Sequence, residues 1–339
     1  MRCALRVTIW VLSFVLRTNS RATLIVLSFV GAGLQAGPAC AGVTLSDTVT
    51  AGPSGYLSNA LGARVGVTKA VTVRGQVYLS RDDASSDTVK GFTVGTGVMF
   101  GAGWSAELAG TLYPRANDAL SSEVALTIGK DLRLPEPWAL DLSVAGGRGE
   151  VVQYLSAADQ ATLDVVKTRH RRRAGGLDAT KNPKDPQGNM TGGGMSMTEV
   201  AFNRRWATLG LTAGWRAASV GVSWTTHGYG TLSDGFSPVD MEQVLAGKNL
   251  TISGVSTLIS GLPSHVIAVT AGQGIGIVDL GAELSRTRFA TGEGDLNSLT
   301  GTAGVRLIEA LRLTAGYNLV RQDPNPDSRY VSAGVEVGF

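Results

Sequence analysis

The sequence predicts an all-β chain, about fourteen short antiparallel strands closed into one barrel, with about twelve or sixteen as the neighbouring even counts. Three observations predict it: the composition, a repeated two-residue alternation, and the rhythm of the connections. The 339 residues are 43% hydrophobic but only 17% charged and 6% aromatic, and 45 are glycine. Low charge with high glycine suits short, closely packed strands joined by turns better than it suits a helical enzyme.

Residues 1–41 differ from the rest. They hold Arg2, Arg6, Arg17 and Arg21 and no acid, with apolar runs Val7–Leu16 and Ala22–Val30 and an A-x-A sequence at Ala39-Cys40-Ala41 before Gly42. A basic start, a short apolar core and a small-residue site make a secretory signal peptide. Neither run reaches the roughly 20 apolar residues of a spanning helix, so residues 1–41 are expected to be cleaved. The second run points to an extended signal or to a start assigned too early. The chain carries 30 basic and 27 acidic residues, and removing these four arginines leaves 26 against 27. The basic balance therefore belongs to the leader and gives no support to nucleic-acid binding. Both cysteines, Cys3 and Cys40, precede the cut. The remainder then has neither a disulfide framework nor a cysteine-held metal, which suits passage through an oxidising periplasm. No cofactor is expected.

Along residues 42–339 the apolar positions alternate with small or polar ones, which gives each segment one greasy face. Val43–Ala51 is the weakest case, because Asp47 falls on its apolar face. Leu61, Ala63, Val65 and Val67 form the next stripe, then Val71, Val73, Val77 and Leu79, then Phe92, Val94, Val98 and Phe100. Ala106, Leu108 and Leu112 follow, then Val124, Leu126 and Ile128, and Leu140, Leu142 and Val144. After a long gap come Leu209 and Leu211, then Val220, Val222 and Trp224, and a weaker segment from His265 to Thr270. Val278, Leu280, Ala282 and Leu284 precede Ala303, Val305 and Leu307, and Leu311, Leu313, Tyr317 and Leu319. The last stripe is Val331, Ala333, Val335, Val337 and Phe339.

The connections alternate in length. Lys69–Ala70, Gly101–Gly103, Arg216–Ala218, Gly272–Gly276 and Ile308–Ala310 are tight, and Asp131–Pro137 is moderate. Between them lie Arg81–Lys90, Pro114–Ser121, Gly149–Met197, Thr231–Ser264, Arg288–Asn297 and Gln322–Ser328. Short turns on one side and longer loops on the other are the asymmetry of a transmembrane barrel. Phe100, Trp104, Trp138, Trp215 and Phe339 fall beside the tight turns, as an interfacial girdle requires, and Trp206 and Trp224 fall nearer the other end.

The A-x-A leader, the cysteine-free remainder and the alternating last strand ending at Phe339 resemble Gram-negative outer-membrane β-barrel proteins, porin-like, with no subfamily motif. The resemblance implies an integral outer-membrane location among lipid and lipopolysaccharide. It also implies that Val335, Val337 and Phe339 carry the signal read by the barrel-assembly machinery. The expected role is a channel through which small solutes diffuse. The alternative is a non-conducting surface barrel that binds a partner through the long loops at residues 149–197 and 231–264.

The alternation sends Arg64, Arg74, Glu107, Asp141, His227, Asp279, Glu283, Arg306, Arg312 and Glu336 into the lumen, a balanced set that does not predict strong ion selectivity. Arg306, Arg312 and Glu336, near the periplasmic end of adjacent strands, are expected either to bridge or to line a wet channel. In the first long loop a capped helix is expected over Ala157–Val166, followed by Lys167, Arg169, Arg171, Arg172 and Arg173. That basic run is a pore constriction or a contact with anionic lipopolysaccharide on one reading, and a solvated outer loop on the other. A second helix is expected over Val239–Ala246. The apolar stretch Leu250–Leu262 that follows either covers the barrel mouth or extends the strands beside it. His227 has no serine or acidic pair beside it in sequence, so no catalytic role is expected, and no metal-ligand spacing occurs.

Overall fold

The computed structural model describes residues 6–17, 24–35, 42–81, 88–116, 119–155, 198–230, 262–290, 295–322 and 326–339. Two strands, β1 (Arg6–Arg17) and β2 (Leu24–Gln35), form a separate antiparallel pair, matching Val11 with Val30. These cover the two apolar runs within residues 1–41, and they take no part in the main sheet.

Fourteen strands make that sheet, and it closes on itself. They are β3 (Gly42–Ala51), β4 (Leu57–Gly66), β5 (Val71–Arg81), β6 (Val89–Phe100), β7 (Trp104–Ala116), β8 (Ala119–Arg133) and β9 (Trp138–Leu155). After residues 156–197 come β10 (Thr198–Trp215), β11 (Ala218–Tyr229), β12 (Pro263–Ile275), β13 (Val278–Phe289), β14 (Asp295–Ile308), β15 (Leu311–Gln322) and β16 (Ser328–Gly338). Each strand pairs antiparallel with its chain neighbour, and β16 pairs with β3 to close the ring. The weakest expected strand, Val43–Ala51, is therefore the one that completes the barrel.

The expected stripes face outward. Leu108, Val124, Leu126, Val144, Leu209, Val220, Ile267, Leu284, Leu299 and Val331 are all exposed on the outer wall. A soluble protein would bury such residues; a barrel presents them to lipid. The tight ends carry aromatics: Phe100 registers with Trp104, and Trp138 lies opposite Trp215 with ring centroids 6.5 Å apart. Cations cover two of these rings, Lys130 Nζ 5.0 Å from the Trp104 ring centre and Arg216 4.7 Å from that of Trp215. At the first of these turns Gly103 has φ +75°, and a Cβ there would stand 2.5 Å from the Asp131 carbonyl, so only glycine fits.

Several boundaries differ from the expectation. The segment starting at Gly149 continues as strand to Leu155, whereas β10 begins at Thr198, at the expected end of the long loop. The Gly272–Gly276 connection is strand as far as Ile275, and only residues 276–277 turn. Glycine-rich stretches read as turns, yet an inward glycine is an ordinary strand residue when a larger neighbour needs its space. The helices expected over Ala157–Val166 and Val239–Ala246, and the stretch from Leu250 as far as residue 261, lie outside the described residues.

Strand length makes the barrel lopsided. β3 and β4 have 10 residues each, near the roughly 9–11 that cross a membrane at a tilt. β9 and β10 have 18 each, and since their Trp138–Trp215 end is fixed at the tight turn, the surplus rises beyond the other interface. The low side is closed above by the turn at residues 52–56, where Gly52 N donates to Tyr56 O at 2.9 Å.

One outward position breaks the stripe. Asp47 registers beside Leu61 on β4 and Val335 on β16, half-way along a strand that just spans the membrane. Asn59 Nδ2, on the same face, donates to Asp47 Oδ1 at 2.6 Å. The pair satisfies itself in place of water. A lone charge at the midplane costs up to roughly 2–4 kcal/mol, less for an acid. Replacing the pair, Asp47→Val with Asn59→Val, should raise stability by about 1–2 kcal/mol in urea unfolding from lipid vesicles. A loss of stability would show that this wall does not face hydrocarbon.

Candidate functional site

The candidate site is the lumen, built from the residues that alternate with the outward stripe. Arg64 and Arg74 lie side by side on β4 and β5, and Arg306 and Arg312 on β14 and β15. These two arginine pairs flank the closing seam. Asp141 registers with Asp131 between β8 and β9, across the barrel, and Glu107 lies on β7 beside them. Four inward arginines thus gather near the seam, where Asp279 and Glu336 lie among them, and the far wall carries Glu123, Asp131 and Asp141 with Arg204. Glu336 is level with Arg312 and Ser46, and Glu283 lies on β13 between Thr270 and Thr300.

Among the described residues three ion pairs cross this wall, and each passes over a glycine on the strand between its partners. Arg74 of β5 reaches Glu107 of β7 beside Gly95, where a Cβ would come within 3.0 Å of the Arg74 Nε. Arg312 of β15 reaches Asp279 of β13 at 3.1 Å over Gly304, where a Cβ would meet the guanidinium at 2.8 Å. Glu123 of β8 and Arg204 of β10 pair across Gly149, which registers with both. The third pair is buried, its side chains 11% and 7% exposed. Sequence reasoning missed it, because Glu123 and Arg204 fall in strand ends that read as loop margins. The inward glycine on the strand between the two charges was its only signal. Of the three residues expected either to bridge or to line the channel, Arg312 bridges to Asp279, while Glu336 registers opposite it on β16.

His227 is inward near the outer end, as the alternation requires, and registers with Trp206. Trp206 is inward too, over Gly147, where a Cβ would lie 2.5 Å from its Nε1. This corrects its expected place in the outer girdle. Trp224 does face outward, and its ring stacks on that of His265 at 6.2 Å. His227 Nδ1 and Trp206 Nε1 are buried without a hydrogen-bond partner among the described residues. The nearby Glu123 is engaged by Arg204.

The outer part of the lumen is not uniformly polar. Phe289, Leu296 and Val320 form a buried cluster packed against Tyr330. Tyr330 meets Tyr56 edge-on at 5.5 Å, and the Tyr56 and Tyr78 hydroxyls hydrogen-bond at 2.7 Å. Burial pushes the Tyr56 hydroxyl above the usual tyrosine range, so it stays neutral. An apolar and aromatic shelf thus lines the seam side of the outer mouth. Lys167, Arg169, Arg171, Arg172 and Arg173, the expected constriction, lie outside the described residues.

A closed sheet with a greasy exterior, an aromatic end and a charged interior is built to face lipid. The molecule is a transmembrane β-barrel. No protein-family model matches the sequence, and no curated protein matches it. Among solved structures it is similar to CdiB from Acinetobacter baumannii, at 10% identity and TM-score 0.45, over 98% of this chain and 66% of that one. It is also similar to OccAB1 of Acinetobacter baumannii, at 8% identity and TM-score 0.47, over 88% of this chain and 95% of that one. The outer-membrane protein OprD from Pseudomonas aeruginosa gives 9% identity and TM-score 0.42, over 88% of this chain and 93% of that one.

The buried pair gives a stability test. Glu123→Ala leaves Arg204 unpaired at 7% exposure and should cost about 3–5 kcal/mol in denaturant unfolding. Replacing both partners, Glu123→Leu with Arg204→Met, should cost far less. Equal losses in the single and double variants would show that the pair does not act as a unit.

Proposed function

We propose that the lumen is a passive path by which small polar solutes cross the outer membrane, with no covalent chemistry. The observation that carries this reading is the charged inner wall, in which both signs are present and four arginines gather beside the seam. Charges of both signs orient a dipolar solute while keeping net selectivity weak. Purified protein in a planar bilayer should show stepwise conductance. Arg64→Glu with Arg74→Glu should shift the reversal potential toward cations. Silence from a barrel shown to be folded would sink this reading.

The apolar shelf at the outer mouth favours a second reading, a non-conducting surface barrel that engages a partner through the segments at residues 156–197 and 231–261. The same conductance measurement separates the two.

Export and assembly belong to the proposal. Residues 1–41 act as a leader, so the protein recovered from outer membranes should begin at Gly42 by mass. The last strand acts as the assembly signal, with Val335, Val337 and Phe339 presented along its outer edge. Phe339 is exposed, and its backbone pairs with Val43 at the closing seam. Charge near an interface costs only about 0–1 kcal/mol. Phe339→Asp should therefore reduce membrane-inserted yield in cells several-fold while refolding in detergent stays near normal. Normal insertion in cells would remove this role from the last strand.

A further inference from the structure

Outside the lumen, the tall side of the barrel carries a groove of about 620 Å³ on β6–β9. Val94, Leu112 and Val124 line it, Gly110 leaves room in its floor, and Arg148 stands at its upper edge. In the register Val94 is opposite Gly110, Gly110 opposite Val124, Val124 opposite Arg148, and Arg148 opposite Arg205. All five share the outward face.

Two facts make this row unusual. First, Arg148 and Arg205 are directly opposed like charges, an arrangement that destabilises a sheet unless an anion sits between them. Neither is in a described ion pair; Arg148 Nη2 donates to Asn203 Oδ1 at 3.5 Å. Elsewhere on the outer rim, Arg286 and Arg288 face Asp295, and Arg321 holds Asp327, whose carboxyl it keeps below the usual carboxylate range. Only here, among the described ionic groups of that rim, do two guanidinium groups stand opposed without a bridging acid. Glu150 also lines the groove, two residues farther out along the strand.

Second, the row crosses the membrane obliquely. Arg148 and Arg205 are each ten residues along their strands from Trp138 and Trp215, which mark the periplasmic interface. At roughly 3.3 Å per residue and a tilt of about 40°, that is about 25 Å, the height of the apolar belt. The arginines thus lie at the outer headgroup plane. Val94 and Gly110 are each six residues from the Phe100–Trp104 end, about 15 Å up and within hydrocarbon.

We propose that this row is a binding site for a phosphorylated, multiply acylated glycolipid of the outer leaflet. Arg148 and Arg205 hold a phosphate between them, an acyl chain lies in the groove over Gly110, and Glu150 meets sugar hydroxyls above. A phosphate relieves the opposed charges and accepts bidentate hydrogen bonds from both planar groups. A chain in the groove covers the apolar wall that a bare glycine leaves concave. The site rests on the outer wall alone and is independent of conduction through the lumen.

The test uses the full barrel, delipidated in detergent and titrated with bisphosphorylated, hexa-acylated lipid A, with bound lipid counted by native mass spectrometry. Arg148→Gln with Arg205→Gln should weaken binding about tenfold or more, and fully dephosphorylated lipid A should bind wild type no better than that variant binds the intact lipid. Gly110→Phe fills the groove with both arginines in place, and since a Cβ at Gly110 finds its nearest atom 4.0 Å away, the barrel accommodates it. It too should weaken binding several-fold. Arg286→Gln with Arg288→Gln, at the same rim but beside Asp295, should leave binding unchanged. Wild-type affinity in the double arginine variant, or equal binding of dephosphorylated lipid A or of phosphatidylglycerol, overturns the proposal. If the arginine variant does not fold, unchanged binding in Gly110→Phe overturns it.

Discussion

The seam between β16 and β3 is the constraint on which the rest depends. In hydrocarbon an unpaired backbone amide costs several kcal/mol, and an open sheet would expose a whole strand edge on each side. Eight registered pairs from Val331–Ala51 to Gly338–Thr44 close that gap, and Val43 and Phe339 exchange backbone hydrogen bonds at its end. Closure also explains why β3 keeps Asp47. A strand with one misplaced carboxylate, satisfied by Asn59, is less costly than two bare edges. Because every other strand pairs with its chain neighbour, this one non-local contact converts a meander into a barrel and fixes which side of every strand faces inward.

Once the ring is closed, space inside becomes the scarce quantity, and glycine manages it. The three lumen ion pairs each link strands two apart and pass a glycine on the strand between. A side chain there would collide with the arginine in two cases, and at Gly149 a Cβ would stand 2.8 Å from the Ser122 carbonyl oxygen. The inner wall is therefore stiffened sideways, across strands, by charges that water alone would hold loosely. Those pairs interleave both signs along the wall, with Arg64 and Arg306 beside the seam in addition, which gives the lumen its electrical character.

Height is the second asymmetry. The β3–β4 side barely spans the membrane, whereas β8–β10 rise beyond it. Tall strands place charged positions at defined depths, because the tight turns anchor their lower ends beside Trp104, Trp138 and Trp215. The same eighteen-residue strands hold the Arg204 half of the buried pair inside and the opposed arginines outside, at nearly one level. A single strand length thus sets the geometry of both faces.

The architecture was legible in the order of the residues. A period of two is read directly from residue order, so the outward stripes, the fourteen strands, the sidedness of the turns and the inward facing of Arg74, Glu107, Asp279, Arg312 and His227 were legible. What stayed hidden depends on which strands lie side by side and at what offset. Arg312 meets Asp279 two strands away, over Gly304, and Arg148 stands opposite Arg205, only once the strands are set in register. Leu296, Val320 and Phe289 face inward against the binary pattern, because near the outer mouth they pack on one another and on Tyr330 instead of on lipid. Trp206 reads as a girdle residue until Gly147 is seen opposite it. Local alternation fixes the face of a residue; only tertiary structure decides its neighbours, since neighbours come from distant parts of the chain.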